Sequence, residues 1–206
     1  MEFNYDSILK HNKDFGNSFF SEYMPYKKSN LKITKFESSK YDAERIKMET
    51  KVNDLLGDIS VDQYMNGLYP AVKRIKKVID KNKISFEDLS VLEFGAGICK
   101  TSAVISKCYN IKEIVCVDIA ENLLTEVAPR VTSLIGGDLN KTEFLVGDMN
   151  EVVNLERKFD AIVCYGAVHH LHLPEYFFKN IQNILNKDGF ILILDEPTLP
   201  STGIYL

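Results

Sequence analysis

Beyond Ser90 the chain alternates short apolar runs with stretches of helical period, and this constrains its fold more than any other feature. "SVLEFG", "EIVCVD", "EFLVGD", "DAIVCYG" and "FILILDE" each have the length of a strand. Runs so uniformly apolar suit strands covered on both faces of a sheet. Between them lie helical stretches near 100–108, 121–134 and 174–186, with a short one near 150–156. Such alternation predicts an α/β fold with a doubly wound, mostly parallel sheet. Right-handed crossovers then bring every strand C-terminus to one edge, where ligands bind.

The residues before this core read differently. Residues 1 to about 40 are polar and aromatic without a clear period, as in "FGNSFFSEYMPYKKSN". "LKITKF" partly alternates and is a candidate short strand. "YDAERIKMETKVNDLL" sets Ile46, Val52, Leu55 and Leu56 near one helical face, and Gly57 suits its end. "VDQYMNGLYPAVKRIKKVID" reads as one or two helices, with Pro70 starting the second. Val72, Ile75 and Ile79 share a face there, while Lys73, Lys76 and Lys77 point to solvent. The expected organisation is an N-terminal helical cap over 1–87 and a ligand-binding core over 88–206. The cap's aromatics, among them Phe19, Phe20 and Tyr23, fit either closure over a substrate or ordinary core contacts.

With 206 residues the chain can bury a large single core. Its net charge of −4 argues against a surface built mainly for nucleic acid, which needs excess Lys and Arg. No apolar run approaches the ~18 residues of a membrane span, and the polar N-terminus is unlike a signal peptide. Cys99, Cys108, Cys116 and Cys164 form no C-x-x-C pair, so reduced, buried thiols are expected rather than a metal site. A cytoplasmic location with no membrane or nucleic-acid partner fits these features.

Chemistry gathers where the predicted strands end. The first ends Glu93-Phe94-Gly95-Ala96-Gly97. Gly95 permits a tight turn, and Gly97 lets a ligand approach the backbone. Cys99 stands where a third glycine often completes a dinucleotide fingerprint, and a pyrophosphate would find Glu93 an odd neighbour. A carboxylate here suits a ligand with positive charge, although Glu93 also fits a structural acid. Asp118 ends the second strand, 23 residues after Gly95. It can accept from both hydroxyls of a ribose. Asp148 ends the third, where it can accept from an adenine amine or make a plain turn, and Met149 offers a polarisable wall. The fourth runs into Tyr165, Gly166, Ala167, Val168, His169 and His170.

Taken in order, "VLEFGAG", "VCVDIAENLL", "FLVGDMNE", "FDAIVCYGAVHHL" and "LNKDGFILILDEP" resemble the class I S-adenosylmethionine-dependent methyltransferases over about 88–196. The resemblance implies a Rossmann-like core. It gives the methionine part of the cofactor to Glu93, Gly95, Ala96 and Gly97, and the ribose to Asp118. It gives the adenine to Ile119, Asp148 and Met149, with Tyr165 beside the reactive centre. Methyl transfer from S-adenosyl-L-methionine to a small molecule is then expected, leaving S-adenosyl-L-homocysteine. If the acceptor must lose a proton, His170 is the first candidate base and His169 the second. A cofactor-binding scaffold subunit is the alternative, and a nicotinamide-dependent oxidoreductase a weaker one. The family's core adds two strands after the fifth, yet only "PTLPSTGIYL" follows Glu196. "FILILDE" would then be an apolar edge. Truncation of a longer protein, pairing with a second copy, or cover by "LKITKF" would each account for it, truncation being the favoured expectation.

Overall fold

A computed structural model describes residues 32–35, 61–121, 123–172 and 174–196. The predicted helix over 41–56 and the aromatics before residue 31 lie outside them. Among the described residues six strands form one sheet: β1 (Lys32–Lys35), β2 (Ser90–Phe94), β3 (Glu113–Asp118), β4 (Thr142–Val146), β5 (Phe159–Tyr165) and β6 (Leu185–Leu194). Their order is β1-β4-β3-β2-β5-β6, and every pairing is parallel. From β2 the chain steps outward to β3 and β4, then returns to β5 on the other side of β2. The direction of winding thus reverses between β2 and β5, and a crevice opens beyond their C-terminal ends.

The strands bury both faces, as their apolar runs require. Val91, Ile114, Ala161, Val163 and Leu194 meet Val72, Ile75 and Ile79 of α1 (Val61–Lys81) and the apolar side of α2 (Lys100–Cys108) and α3 (Ala128–Ile135). Leu92, Phe94, Val115, Val117 and Ile162 meet Met149, Val152, Phe177 and Ile181 on the other face. Three of the four free cysteines, Cys99, Cys116 and Cys164, lie within these layers.

The structure decides three points that the sequence leaves open or places differently. Pro70 lies inside α1 rather than at the head of a second helix. Burial of Val72, Ile75 and Ile79 outweighs the one hydrogen bond a proline removes. The helix expected over 174–186 is shorter: α4 (Pro174–Asn180) tightens into a 3₁₀ turn at Ile181–Asn183. Leu185 already pairs with Phe159. The register then jumps to Ala161↔Phe190, so residues 186–189 form a bulge before the apolar part of β6. Gly189 is needed there, because a Cβ would come within 2.8 Å of Leu185 and 2.9 Å of the Asp160 carbonyl. Finally, "LKITKF" does not cover β6. Its strand, β1, pairs with β4 at the opposite edge, from Lys32↔Glu143 to Lys35↔Val146. A parallel partner needs its polar groups in register, and β4 offers the free side of a strand already anchored by β3. Among the described residues β6 pairs with β5 alone.

Candidate cofactor and acceptor site

The glycine turn after β2 is shaped from two sides. Gly95 has φ +61° and Gly97 φ +51°, both in the left-handed region that favours glycine. A Cβ on Gly95 would lie 2.4 Å from Ala167 Cβ and 3.3 Å from Met149 Sδ. The turns after β4 and β5 therefore crowd that residue. A Cβ on Gly97 would meet nothing within 4 Å, so this side of the turn is open. Cys99 also takes a left-handed conformation, at φ 57°, and caps α2 without a side-chain hydrogen bond to the helix. That position usually suits glycine, and a side chain there costs about 1 kcal/mol or more.

Asp118 ties this turn to the next one. Its Oδ2 accepts the Gly97 N–H at 2.7 Å, and its Oδ1 accepts the Ala120 N–H at 2.8 Å. The Asp118 carbonyl accepts from Gly147 at 2.9 Å, joining the turn after β4 as well. Ile119 follows, half-buried. Asp148 is buried and caps the 3₁₀ turn Met149–Asn154, its Oδ1 accepting the Asn150 N–H at 2.9 Å and the Asn150 amide at 2.7 Å. Met149 is buried beneath the glycine turn.

Glu93 is directed at α2. It is 1% exposed, and its Oε2 accepts the Ser102 N–H at 2.9 Å and the Ser102 hydroxyl. A carboxylate from β2 thus satisfies an N–H in the first turn of the helix that follows the glycines. Burial pushes its pKa up to about 7, against the pull of Ser102 and of the Lys100 charge.

Lys100 opens α2, where a cation opposes the helix dipole. Its Nζ lies 4.1 Å from the centroid of the Tyr165 ring. Burial lowers its pKa, opposed by Glu93 and Asp195. Burial pushes the Tyr165 hydroxyl up to about 12, and Asp195 adds to that shift. Arg74 of α1 bonds the Asp195 carboxylate. Beside this pair a cavity of about 30 Å³ is lined by Arg74, Ile75, Val78, Tyr165, Leu194 and Asp195. It has room for a water or two and not for a nucleoside.

The histidines follow β5. His169 and His170 are exposed, their ring centroids 4.0 Å apart. His169 Nδ1 lies 3.0 Å from Glu196 Oε2, whereas His172 is held by its backbone N–H, bonded to Asn150. Burial alone would raise the Glu196 carboxyl. Hydrogen bonds from His169 and from the Val168 and His169 N–H groups outweigh it and hold the acid below its usual range. The sequence reading did not single out Glu196, Lys100, Asp195 or Arg74. Glu196 could have been found, since an acid just past a strand end repeats the pattern of Asp118 and Asp148. Among the described residues no cluster of His, Cys, Asp and Glu could hold a metal ion, and no helix is long and apolar enough to cross a membrane.

Residues 92–191 match the family model of a methyltransferase domain. A crystal structure from Bacillus halodurans C-125, of a protein assigned to the methyltransferases, aligns at TM-score 0.51 with 22% identity, covering 60% of this chain and 51% of its own. A methyltransferase from Geobacter sulfurreducens, solved with S-adenosyl-L-homocysteine, aligns at TM-score 0.49 with 17% identity, covering 59% and 47%. Bacillus subtilis YcgJ gives 0.48 and 25%, covering 58% and 49%. The chain thus spans about half the length of these structures. No curated protein matches it. The matched domain, with its all-parallel sheet and glycine turn, is of the Rossmann-like α/β class. More particularly, the match over residues 92–191 is to a methyltransferase domain.

Proposed function

We propose that the chain binds S-adenosyl-L-methionine along the C-terminal ends of β2, β3 and β4 and transfers its methyl group to a small-molecule acceptor. One observation carries this reading. The glycine turn after β2 is open at Gly97, and the next two strands on one side of it, β3 and β4, lead into the carboxylates Asp118 and Asp148. The donor set suits the ligand. Asp118 ends β3 with its oxygens accepting from Gly97 and Ala120, and a carboxylate at that strand end suits the hydroxyls of a ribose. Asp148 stands at the adenine end, with Met149 and Ile119 as apolar walls. Lys100 places a cation beside the turn for the methionine carboxylate, and Glu93 holds the first turn of α2 behind the glycines through Ser102.

The bound cofactor supplies a methyl group on a sulfonium, already a good leaving group. The protein's part is to align an acceptor atom behind that methyl and exclude water, worth up to roughly 7–11 kcal/mol when alignment is near ideal. A small acceptor and a cytoplasmic location belong to the same reading. The net charge of −4 and the four free cysteines support them. Calorimetric titration with S-adenosyl-L-homocysteine and with NADH tests the cofactor. Binding of the first and not the second is expected, and the reverse would return the chain to the oxidoreductases. Methyl release with candidate acceptors then separates an enzyme from a scaffold subunit.

A further inference from the structure

The ends of β5 and β6 stay paired beyond the strands, with Tyr165 opposite Leu194 and the Gly166 N–H donating to the Leu194 carbonyl at 2.8 Å. Asp195 then turns the chain through a left-handed conformation, φ 56°, and Glu196 crosses to the neighbouring turn. Its Oε1 accepts the Val168 N–H at 2.7 Å and has Cys164 Sγ at 3.8 Å. Its Oε2 takes the His169 N–H at 3.3 Å and lies 3.0 Å from His169 Nδ1. A carboxylate that only capped the turn Val168–His170 would have no need of the ring. Here one oxygen holds both the backbone and the imidazole of the same residue. His170 packs against that imidazole, the two planes inclined at 43°. The ring of His169 thus has Nδ1 turned to the carboxylate and one face against His170. A carboxylate at Nδ1 keeps the proton there and leaves a lone pair on Nε2. His170 has no comparable partner among the described residues, which reverses the order expected from the sequence.

We propose that Glu196 is the positioning residue of a Glu196–His169 pair, and that His169 Nε2 takes the proton of a hydroxyl acceptor. This rests on the cofactor reading above. In the step, the acceptor oxygen forms its bond to the methyl carbon while the carbon–sulfur bond breaks, its electron pair remaining on sulfur. The hydroxyl proton passes to Nε2. The imidazolium is stabilised by the Glu196 carboxylate and later releases its proton to water. Residues that follow Ala167 are well placed for this, since Ala167 itself packs against Gly95 of the cofactor turn.

The test needs no knowledge of the acceptor. Long-range ¹H–¹⁵N spectra of ¹⁵N-histidine protein should show neutral His169 protonated on Nδ1, with His170 and His172 free to exchange tautomers. Glu196→Ala should abolish that preference. Glu196→Gln keeps an acceptor for the Val168 N–H and guards against a variant that fails to fold. It should fold normally while losing at least threefold in the rate at which diethyl pyrocarbonate modifies His169. Saturating S-adenosyl-L-homocysteine should slow that modification at least threefold in the wild-type protein. If His169 is protonated on Nε2, or if the bound product leaves its reactivity unchanged, the pair is not at the reacting centre and the proposal fails. If the product does not bind at all, the cofactor reading fails first, and calorimetry reports that separately.

Discussion

Gly95 and Gly97 stand two residues apart in the same turn and answer to different constraints. Gly95 is held by the fold, because the Ala167 Cβ occupies the place a side chain would need. Gly95→Ala should destabilise the protein by ~1–3 kcal/mol, the scale of an overpacked core, read as a lower midpoint in denaturant. Gly97 faces open space. Gly97→Ala adds only the cost of a left-handed alanine, roughly 1 kcal/mol, and its larger effect should be a loss of S-adenosyl-L-homocysteine affinity. Equal effects of the two substitutions on stability and on binding would contradict this division. Asp118→Ala should weaken the same ligand by ~1.5–3 kcal/mol, the scale of hydrogen bonds to a charged group. Calorimetry checks it, and an unchanged dissociation constant would remove Asp118 from the ribose site. The sequence showed that both glycines and Asp118 matter, because strand ends can be read from apolar runs. It could not show what each touches. Ala167 lies 72 residues beyond Gly95, and the contact exists only once β5 is laid beside β2.

At the scale of elements, Glu93 shows how a strand and a helix share one group. The residue belongs to β2 by its place in an apolar run, and it serves α2 by accepting from Ser102. In the sequence Glu93 fits either a carboxylate for a cationic ligand or a structural acid, since a glutamate before a glycine turn announces charge without announcing direction. Direction follows from the pleat: Glu93 shares a face with Val91, the face on which α2 packs. Its pKa is raised, from an ordinary 4.5 to about 7. Between those values the folded state binds more proton than the unfolded state. Stability from this group is complete below pH 4.5 and is lost as pH rises to about 7. The loss is at most about 3 kcal/mol. Glu93→Gln keeps an acceptor for Ser102 and cannot ionise, so its stability should stay flat over that window while the wild type declines. Denaturant midpoints at a series of pH values measure the difference. A wild-type curve that rises with pH there would mean that Glu93 ionises easily and that burial is outweighed. The limits of α2 and of the strands were legible because their periods are clean. The shortened α4 was not, since the periodic positions Phe177, Ile181 and Ile184 stay buried although the helix has already tightened.

At the scale of the molecule, the two edges of the sheet differ in kind. β1 is four residues long with lysines at both ends, and a short charged strand discourages further pairing. β6 opens with a bulge at 186–189 that carries Lys187 and Asp188 and blunts the first half of that edge. No apolar run or period announces it, because bulges follow from register and not from composition. The second half, residues 190–194, is uniformly apolar, and Ile193 is 41% exposed. Its outer N–H and C=O groups need partners, and water supplies them only at an open edge. Nothing polar between Phe190 and Leu194 opposes a second chain. β1 is committed to β4 and cannot serve. A second copy pairing along 190–194 is therefore the expected cover, and the molar mass from light scattering should rise with protein concentration towards that of a dimer. Ile193→Lys places a charge on the exposed side of this half-strand without entering the buried layers, so it should shift the protein towards monomer at unchanged stability. Wild-type protein that stays monomeric across the concentration range would show that this edge is covered from within the chain or left to solvent.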